Sequence, residues 1–206
     1  MQHFSYDSDL TGGSLMVRES RVVADLLLDN ATAEEWQNAI KTENRLQKPT
    51  LATAQRVALA IRKRLERLEP PFWQAIRDGD DELATQVAFC AVLERNLLLV
   101  EFMESVVRDA FVTRAEKLES WQWLDFLAER AHKDPALDSW SMSTRHKTGQ
   151  VVFRMLAEVG LLTDTRSRKL QYLLIRPEVR VLLEDSHRRR IRTCLELSGA
   201  IRGESH

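Results

Sequence analysis

Two stretches of this sequence carry basic side chains in an order that suits binding to a polyanion. They are residues 51–68 and residues 140–169. Cations repeated along one face of a helix can meet successive phosphates of a nucleic acid, and each such contact adds a salt-dependent increment to affinity. Both stretches are therefore candidate nucleic-acid surfaces.

In the C-terminal stretch, the spacing predicts a long helix from about residue 141 to Val159, with Gly160 at its end. Its predicted apolar side consists of Thr148, Val152, Met155, Leu156 and Val159. Its predicted polar side, with His146 nearby, consists of Ser143, Lys147, Gln150 and Arg154. An apolar face docked on the domain leaves a polar face free to enter the major groove of DNA.

A short polar hairpin follows this helix and predicts a second contact element. It contains Arg166, Arg168 and Lys169, and a strand is predicted next over residues 170–175. This order is typical of a winged helix-turn-helix domain, in which the hairpin is the wing and its cations contact phosphates or the minor groove. Alternatively, the hairpin is a solvated turn, or the domain docks on another protein. Trp140, which precedes the helix, is expected to pack beneath it.

The N-terminal stretch predicts a helix-turn-helix-like pair, with helices over 33–46 and 51–68. Thr32 and Thr50 are the predicted N-cap residues, and Glu35 completes a capping box with Thr32. The predicted apolar face of the second helix holds Leu51, Ala54, Ala58, Ile61, Leu65 and Leu68. The opposite face holds Thr53, Arg56, Lys63, Arg64 and Arg67. A solvated surface that is paired with acidic helices is the alternative interpretation.

Other chemistry is poorly supported by the sequence. The five histidines have no spacing with cysteines or carboxylates that suits a metal, and Gly12-Gly13 lacks the Lys and Ser or Thr of a phosphate-binding loop. No Ser, Cys or carboxylate stands in a nucleophile motif. We therefore expect no catalytic residues, no metal and no cofactor. Cys90 and Cys194 lie far apart in apolar stretches and are expected to be reduced thiols.

The charges divide the chain into blocks, although the formal net charge is only −1. Residues 45–69 carry 7 basic and 2 acidic side chains, and residues 140–206 carry 13 and 7. The acidic block 70–139 between them carries 7 basic and 14 acidic side chains. Blocks of this kind create local positive potential that steers an anionic partner.

Scarce Gly and Pro favour an all-α fold with a small C-terminal hairpin. Further helices are predicted over 17–28, 71–77, 81–94, 97–117 and 121–132, and beyond Pro177. Three regions are expected: 1–69 with the helix-turn-helix-like pair, an acidic helical core at 70–139, and a basic winged-helix-like region at 140–206. The unbroken apolar runs, Leu97–Val100 among them, are far shorter than a membrane span, and no signal peptide is evident. We expect a cytoplasmic protein.

Several ordered blocks resemble one known family. These are TGGSLMVRESRVVADLLLDN (11–30), ENRLQKPTLATAQRVALAIRKRLE (43–66), WSMSTRHKTGQVVFRMLAEVGLL (140–162) and LIRPEVRVLLE (174–184). They resemble the BrxA family of BREX bacteriophage-exclusion systems, over about residues 5–195. The resemblance implies an all-helical bundle similar to the transcription factor NusB, and DNA binding as an accessory in phage defence.

The leading hypothesis is thus a non-enzymatic protein that binds duplex DNA and works with other BREX proteins. One alternative is a protein-interaction or assembly subunit of the defence complex, whose basic blocks dock on acidic partners. Another is an RNA-binding factor, which the likeness to NusB permits. Oligomeric state and DNA sequence specificity do not follow from the sequence.

Overall fold

The computed structural model describes residues 5–6, 10 and 13–199, and this part of the chain is helical with no named strand. The helices are α1 (Val17–Leu28), α2 (Ala33–Gln37), α3 (Leu51–Leu65), α4 (Pro70–Asp78), α5 (Asp81–Arg95), α6 (Leu97–Phe102), α7 (Arg108–Val112), α8 (Ser120–Ala131), α9 (Met142–Val159), α10 (Pro177–Asp185) and α11 (Arg189–Glu196). Short π-helical segments follow α2 and α6, and a 3₁₀ turn spans Pro135–Ser139. The predicted all-α class is confirmed.

Two compact units make up the chain. One contains residues 15–95 and 176–186, which we call the N-terminal unit. The other contains residues 96–175, the described residues up to 14 and those from 187 onward, which we call the C-terminal unit. These boundaries differ from the three regions 1–69, 70–139 and 140–206, which stay a prediction based on charge and motifs.

In the N-terminal unit, α1 packs on α3, α4 and α5. Val23 of α1 and Ile76 of α4 are fully buried there. Arg21 fixes the end of α4, because its Nη1 donates hydrogen bonds to the carbonyls of Ile76, Arg77 and Gly79 at 2.8–3.0 Å. Carbonyls at a helix C-terminus have no partner within the helix, so this contact both caps α4 and sets its position against α1.

The C-terminal unit is built on a cluster of buried aromatic rings. The ring of Phe102 lies edge-on to those of Trp123 and Phe126, with centroids 5.1 and 5.2 Å apart, and Phe153 lies 6.4 Å away. These separations are the ones at which aromatic pairs stabilise a core beyond the area they bury. The cluster joins α6, α8 and α9, and so it holds the long helix α9 in place.

Most predicted helix bounds agree with the structure, but four elements differ. The helices predicted over 33–46 and 97–117 are interrupted by π-helical turns and end at Thr42 and Val112. The helix over 51–68 ends at Leu65. The strand predicted over 170–175 is wrong, because in that segment Leu170 alone pairs, as an isolated bridge with Leu162. The mostly apolar run between a polar turn and Pro177 indicated the strand, but no neighbouring segment among the described residues extends the pairing.

Among the described residues, no single helix is long and apolar enough to cross a membrane. The helical segments Asp81–Arg95 and Leu97–Val112 are separated by a bend at Asn96. Together they have the length and the apolar composition of a membrane span.

Candidate nucleic-acid interface

The helix α9 has well-defined ends. The Ser141 hydroxyl accepts a hydrogen bond from the Thr144 N–H at 3.1 Å and so caps the first turn. Gly160 ends the helix with φ 94°, a left-handed conformation that glycine adopts without strain. Both signals were visible in the sequence, and they fix where α9 begins and ends.

The inward face of α9 is the predicted one. Thr148, Val152, Met155 and Leu156 are fully buried, and Val159 is 5% exposed. The indole N–H of Trp123 donates hydrogen bonds to the Arg145 carbonyl at 3.1 Å and the Thr148 hydroxyl at 3.2 Å. This contact locks α8 to α9. Trp123 therefore takes the position expected for Trp140, which is only partly buried.

The outward face of α9 presents polar side chains that are free to meet a ligand. Lys147, Gln150 and Arg154 are exposed. None of their side chains forms an ion pair or hydrogen bond with any residue that the structure describes. A charged side chain without a carboxylate partner keeps its full field for an incoming anion. These three predicted site residues therefore share one accessible row.

The segment after α9 forms a tight turn on a small set of bridges. Leu162 pairs with Leu170, and Lys117 pairs with Lys169, both in antiparallel fashion. Residues 163–169, which we call the wing, close the turn through the Asp164 carboxylate. That carboxylate accepts hydrogen bonds from the N–H groups of Arg166 and Ser167 and from the Ser167 hydroxyl, each at 2.7 Å. These bonds lower the pKa of Asp164 to about 2.

The three cations predicted on the wing differ in their surroundings. Arg166 is exposed, and its guanidinium has no hydrogen bond or ion pair within the described chain. Arg168 is held by the chain itself, because its Nε donates to the Leu118 carbonyl at 3.0 Å and its guanidinium lies 5.6 Å from the Phe153 ring centroid. Lys169 forms a 3.0 Å ion pair with Glu116. Arg166 is thus the most available of the three.

In α3 and just after its end, the structure gives the predicted cations different surroundings, which the sequence did not indicate. Arg56 and Lys63 are exposed and form no contact with a charged partner among the described residues. Arg64 is only 4% exposed, so it cannot reach a nucleic acid without leaving the interior. Arg67 is exposed but has an interaction of its own within the protein. The predicted apolar residue Leu51, by contrast, is 51% exposed.

A concavity beside α9 brings His146 and Thr165, which the sequence did not single out as site residues, together with three residues that it did. It has a volume of about 570 Å³, and its polar lining includes His146, Gln150, Arg154, Thr165 and Arg168. These come from α9 and the wing, which are separate in sequence. Helical spacing of four residues among His146, Gln150 and Arg154 was the one available signal. No group of three or more described His, Cys, Asp or Glu residues is placed to hold a metal ion.

The sequence profile of the BrxA family matches residues 5–187. The chain belongs to this family. It is 36% identical to the BREX protein BrxA of Paramagnetospirillum magneticum, a match that covers 94% of this chain and 97% of the relative. It is also 36% identical to the BREX protein BrxA of Escherichia coli O9:H4, over 85% and 83% of the two chains. BrxA of Bacillus cereus is more distant, at 25% identity over 80% of this chain.

A solved structure supports the same fold for this BrxA family member. It is a crystal structure of an uncharacterized protein from Magnetospirillum magneticum, 35% identical in sequence. The two structures superpose with a TM-score of 0.86, over 94% of this chain and 99% of the other.

Proposed function

We propose that this protein is a duplex-DNA-binding accessory of a BREX bacteriophage-defence system that acts by binding and not by catalysis. Its curated relatives are named as BREX proteins, which supports the assignment to phage defence and other BREX proteins as its partners. A role on DNA would place it in the cytoplasm.

The single observation that carries DNA binding is the accessible row of α9 beside the wing. The C-terminal unit follows the order of a winged helix-turn-helix domain: a helical segment (97–112), a bridge at Lys117, α8, α9, a bridge at Leu162, the wing, and a bridge at Lys169 and Leu170. In such domains the second helix of the pair enters the major groove while the wing contacts the backbone. We assign these roles to α9 and to residues 163–169.

Within this surface, Lys147, Arg154 and Arg166 are the cations with the least competition from the protein. Gln150 lies between the two α9 cations and could contact a base edge, since an amide side chain both donates and accepts. Arg168 and Lys169 would act as supporting phosphate contacts, because each already has a partner in the fold. The exposed pair Arg56 and Lys63 of α3 would form a weaker second phosphate clamp.

The test is a binding titration with duplex DNA, single-stranded DNA and RNA at two salt concentrations. Duplex binding that falls steeply with salt supports the proposal, because each contact with a phosphate releases counterions. Each such contact contributes about 0.9 to the slope of log affinity against log salt concentration. The matched variants are Lys147→Glu/Arg154→Glu on α9 and Arg56→Glu/Lys63→Glu on α3. We expect the α9 pair to lower duplex affinity more than tenfold and the α3 pair to lower it less. Loss in the α3 pair alone would move the site to the N-terminal unit, and tighter binding of RNA would favour an RNA-binding factor.

One observation favours a second candidate function, that of an assembly subunit. A groove of about 300 Å³ between α7 and α8 combines apolar Ala110, Phe126 and the 57% exposed Trp121 with the carboxylates of Asp109 and Asp125. Exposed apolar surface with a charged rim is typical of a protein-docking site. Trp121→Ala should then abolish assembly with another BREX protein while leaving duplex affinity unchanged.

A further inference from the structure

The concavity beside α9 differs from three other hollows in the described part of the chain in that no carboxylate lines it. Its charged lining residues are Arg154 and Arg168. The groove between α7 and α8 is lined by Asp109, Asp125 and Glu129, and a hollow beside α2 is lined by four carboxylates. A lining with cations and no acid selects an anion, because an acid would repel it and neutralise the cations.

The two arginines are prepared for such a ligand in different ways. The Arg168 side chain is 23% exposed, and its orientation is fixed by the Leu118 carbonyl and the Phe153 ring. Glu119, which is not part of the lining, forms an ion pair with one of its Nη atoms at 3.6 Å. Arg154 forms no bond with a described residue. A fixed guanidinium beside a free one can hold a phosphate with several charge-assisted hydrogen bonds.

The rest of the lining suits the body of a nucleotide. His146, Gln150 and Arg154 are spaced four residues apart on α9, so the row spans about 12 Å along the helix axis. Gln150 and His146 offer both donors and acceptors, and Ser120 and Thr165 add hydroxyls. The volume of about 570 Å³ lies within the range of small-molecule sites and exceeds what a bare phosphate needs.

We propose that this concavity binds a nucleoside monophosphate, with the phosphate at Arg154 and Arg168 and the nucleoside toward Gln150 and His146. The nucleotide would be either free in solution or the phosphorylated 5′ end of a DNA strand. Because Arg154 also belongs to the proposed duplex surface, an occupant neutralises it and adds negative charge beside α9. Occupation by a free nucleotide therefore lowers duplex affinity, and this regulatory consequence rests on the proposed function.

Calorimetric titration of the full-length protein with AMP, adenosine and inorganic phosphate tests the site directly. We expect AMP to bind at least about tenfold more tightly than either fragment, since the site engages both parts of the nucleotide. Arg154→Gln and Leu124→Trp, the second of which fills the hollow, should each lower AMP affinity about tenfold or more. Lys41→Gln, which removes an exposed cation outside the lining, is the matched control and should stay within about twofold. Equal binding of AMP and phosphate, or an unaffected Arg154→Gln variant, overturns the proposal.

Two further arms identify the source of the nucleotide and separate this inference from the proposed function. A duplex with a 5′-phosphate is compared with the same duplex carrying a 5′-hydroxyl; a preference for the phosphate assigns the site to strand ends, and equal binding assigns it to free nucleotide. Duplex binding without AMP binding overturns the pocket and leaves the proposed function intact. AMP binding without duplex binding supports the pocket and overturns the proposed function.

Discussion

Gly149 of α9 lies directly against the indole ring of Trp123. A Cβ atom at position 149 would come within 2.7 Å of Trp123 Cδ1, closer than side chains can approach. The glycine therefore allows α8 and α9 to approach closely at the hydrogen bonds from Trp123 to Arg145 and Thr148. The proposed nucleic-acid face depends on this contact, because the contact sets the rotation of α9.

Gly149→Ala should destabilise the protein even though alanine is the better helix former. The propensity gain of about 1 kcal/mol is outweighed by overpacking against Trp123, which costs roughly 1–3 kcal/mol. Chemical denaturation measures the difference. Gln150→Ala, one residue along on the exposed side, is the control and should change the free energy of unfolding by less than about 0.5 kcal/mol. An alanine at 149 that stabilised the protein would contradict the contact.

Trp123 and Trp140 should respond differently to truncation. Trp123 is 1% exposed and donates two hydrogen bonds, so Trp123→Ala should cost about 3–5 kcal/mol of unfolding free energy. Trp140 is only partly buried, and Trp140→Ala should cost roughly 1 kcal/mol. Urea unfolding of both variants gives the comparison. Equal losses would mean that Trp140 also lies in the core.

Arg64 and Lys63 are neighbours in α3, but the same charge reversal should affect different properties. At Arg64 it should lower stability, and at Lys63 it should lower duplex affinity. Arg64 is 4% exposed, so Arg64→Glu replaces a buried guanidinium by a buried carboxylate. This change should cost roughly 3–5 kcal/mol of stability. Lys63 is exposed, and Lys63→Glu should change stability by less than about 0.5 kcal/mol while lowering duplex affinity. Thermal unfolding and a binding titration on each variant separate the two effects. A stable Arg64→Glu protein would show that this arginine is accessible.

The Asp164 carboxylate should hold the wing in shape down to low pH. Hydrogen bonds from the Ser167 N–H and hydroxyl and from the Arg166 N–H lower its pKa from 3.8 to about 2. Because the folded-state pKa is the lower one, the stabilisation is present above pH 3.8 and is lost as the pH falls from 3.8 through 2. A carboxyl titration by NMR measures this pKa directly.

A variant of the same residue tests what the wing contributes to binding. Asp164→Ala removes all three acceptor contacts and should weaken duplex binding at neutral pH, because Arg166 is no longer held in the turn. Asp164→Asn, which keeps one carbonyl acceptor, should weaken it less. If Asp164→Ala bound duplex DNA as tightly as the unaltered protein, the wing would have no part in the interface.

Several features of this protein follow from local sequence alone. The bounds of α1 and α9 and the caps at Thr32, Thr50 and Gly160 agree with prediction. Each depends on a few neighbouring residues: a hydroxyl that meets the third N–H of the helix, or a glycine that turns left-handed. Family membership also follows from ordered sequence blocks, since it rests on residue identity along the chain.

Other features depended on the tertiary structure. Helical periodicity gave Arg64 and Arg67 the same status, but packing buries one and leaves the other exposed. Spacing also predicted equal roles for Arg166 and Lys169, but Glu116 holds Lys169 from more than 50 positions earlier in the chain. Packing by distant segments also explains why Trp123, and not Trp140, is the tryptophan buried beneath α9. Local patterns specify which face of a helix is apolar, whereas the partners that bury or neutralise a side chain come from distant segments, and only the fold brings them together.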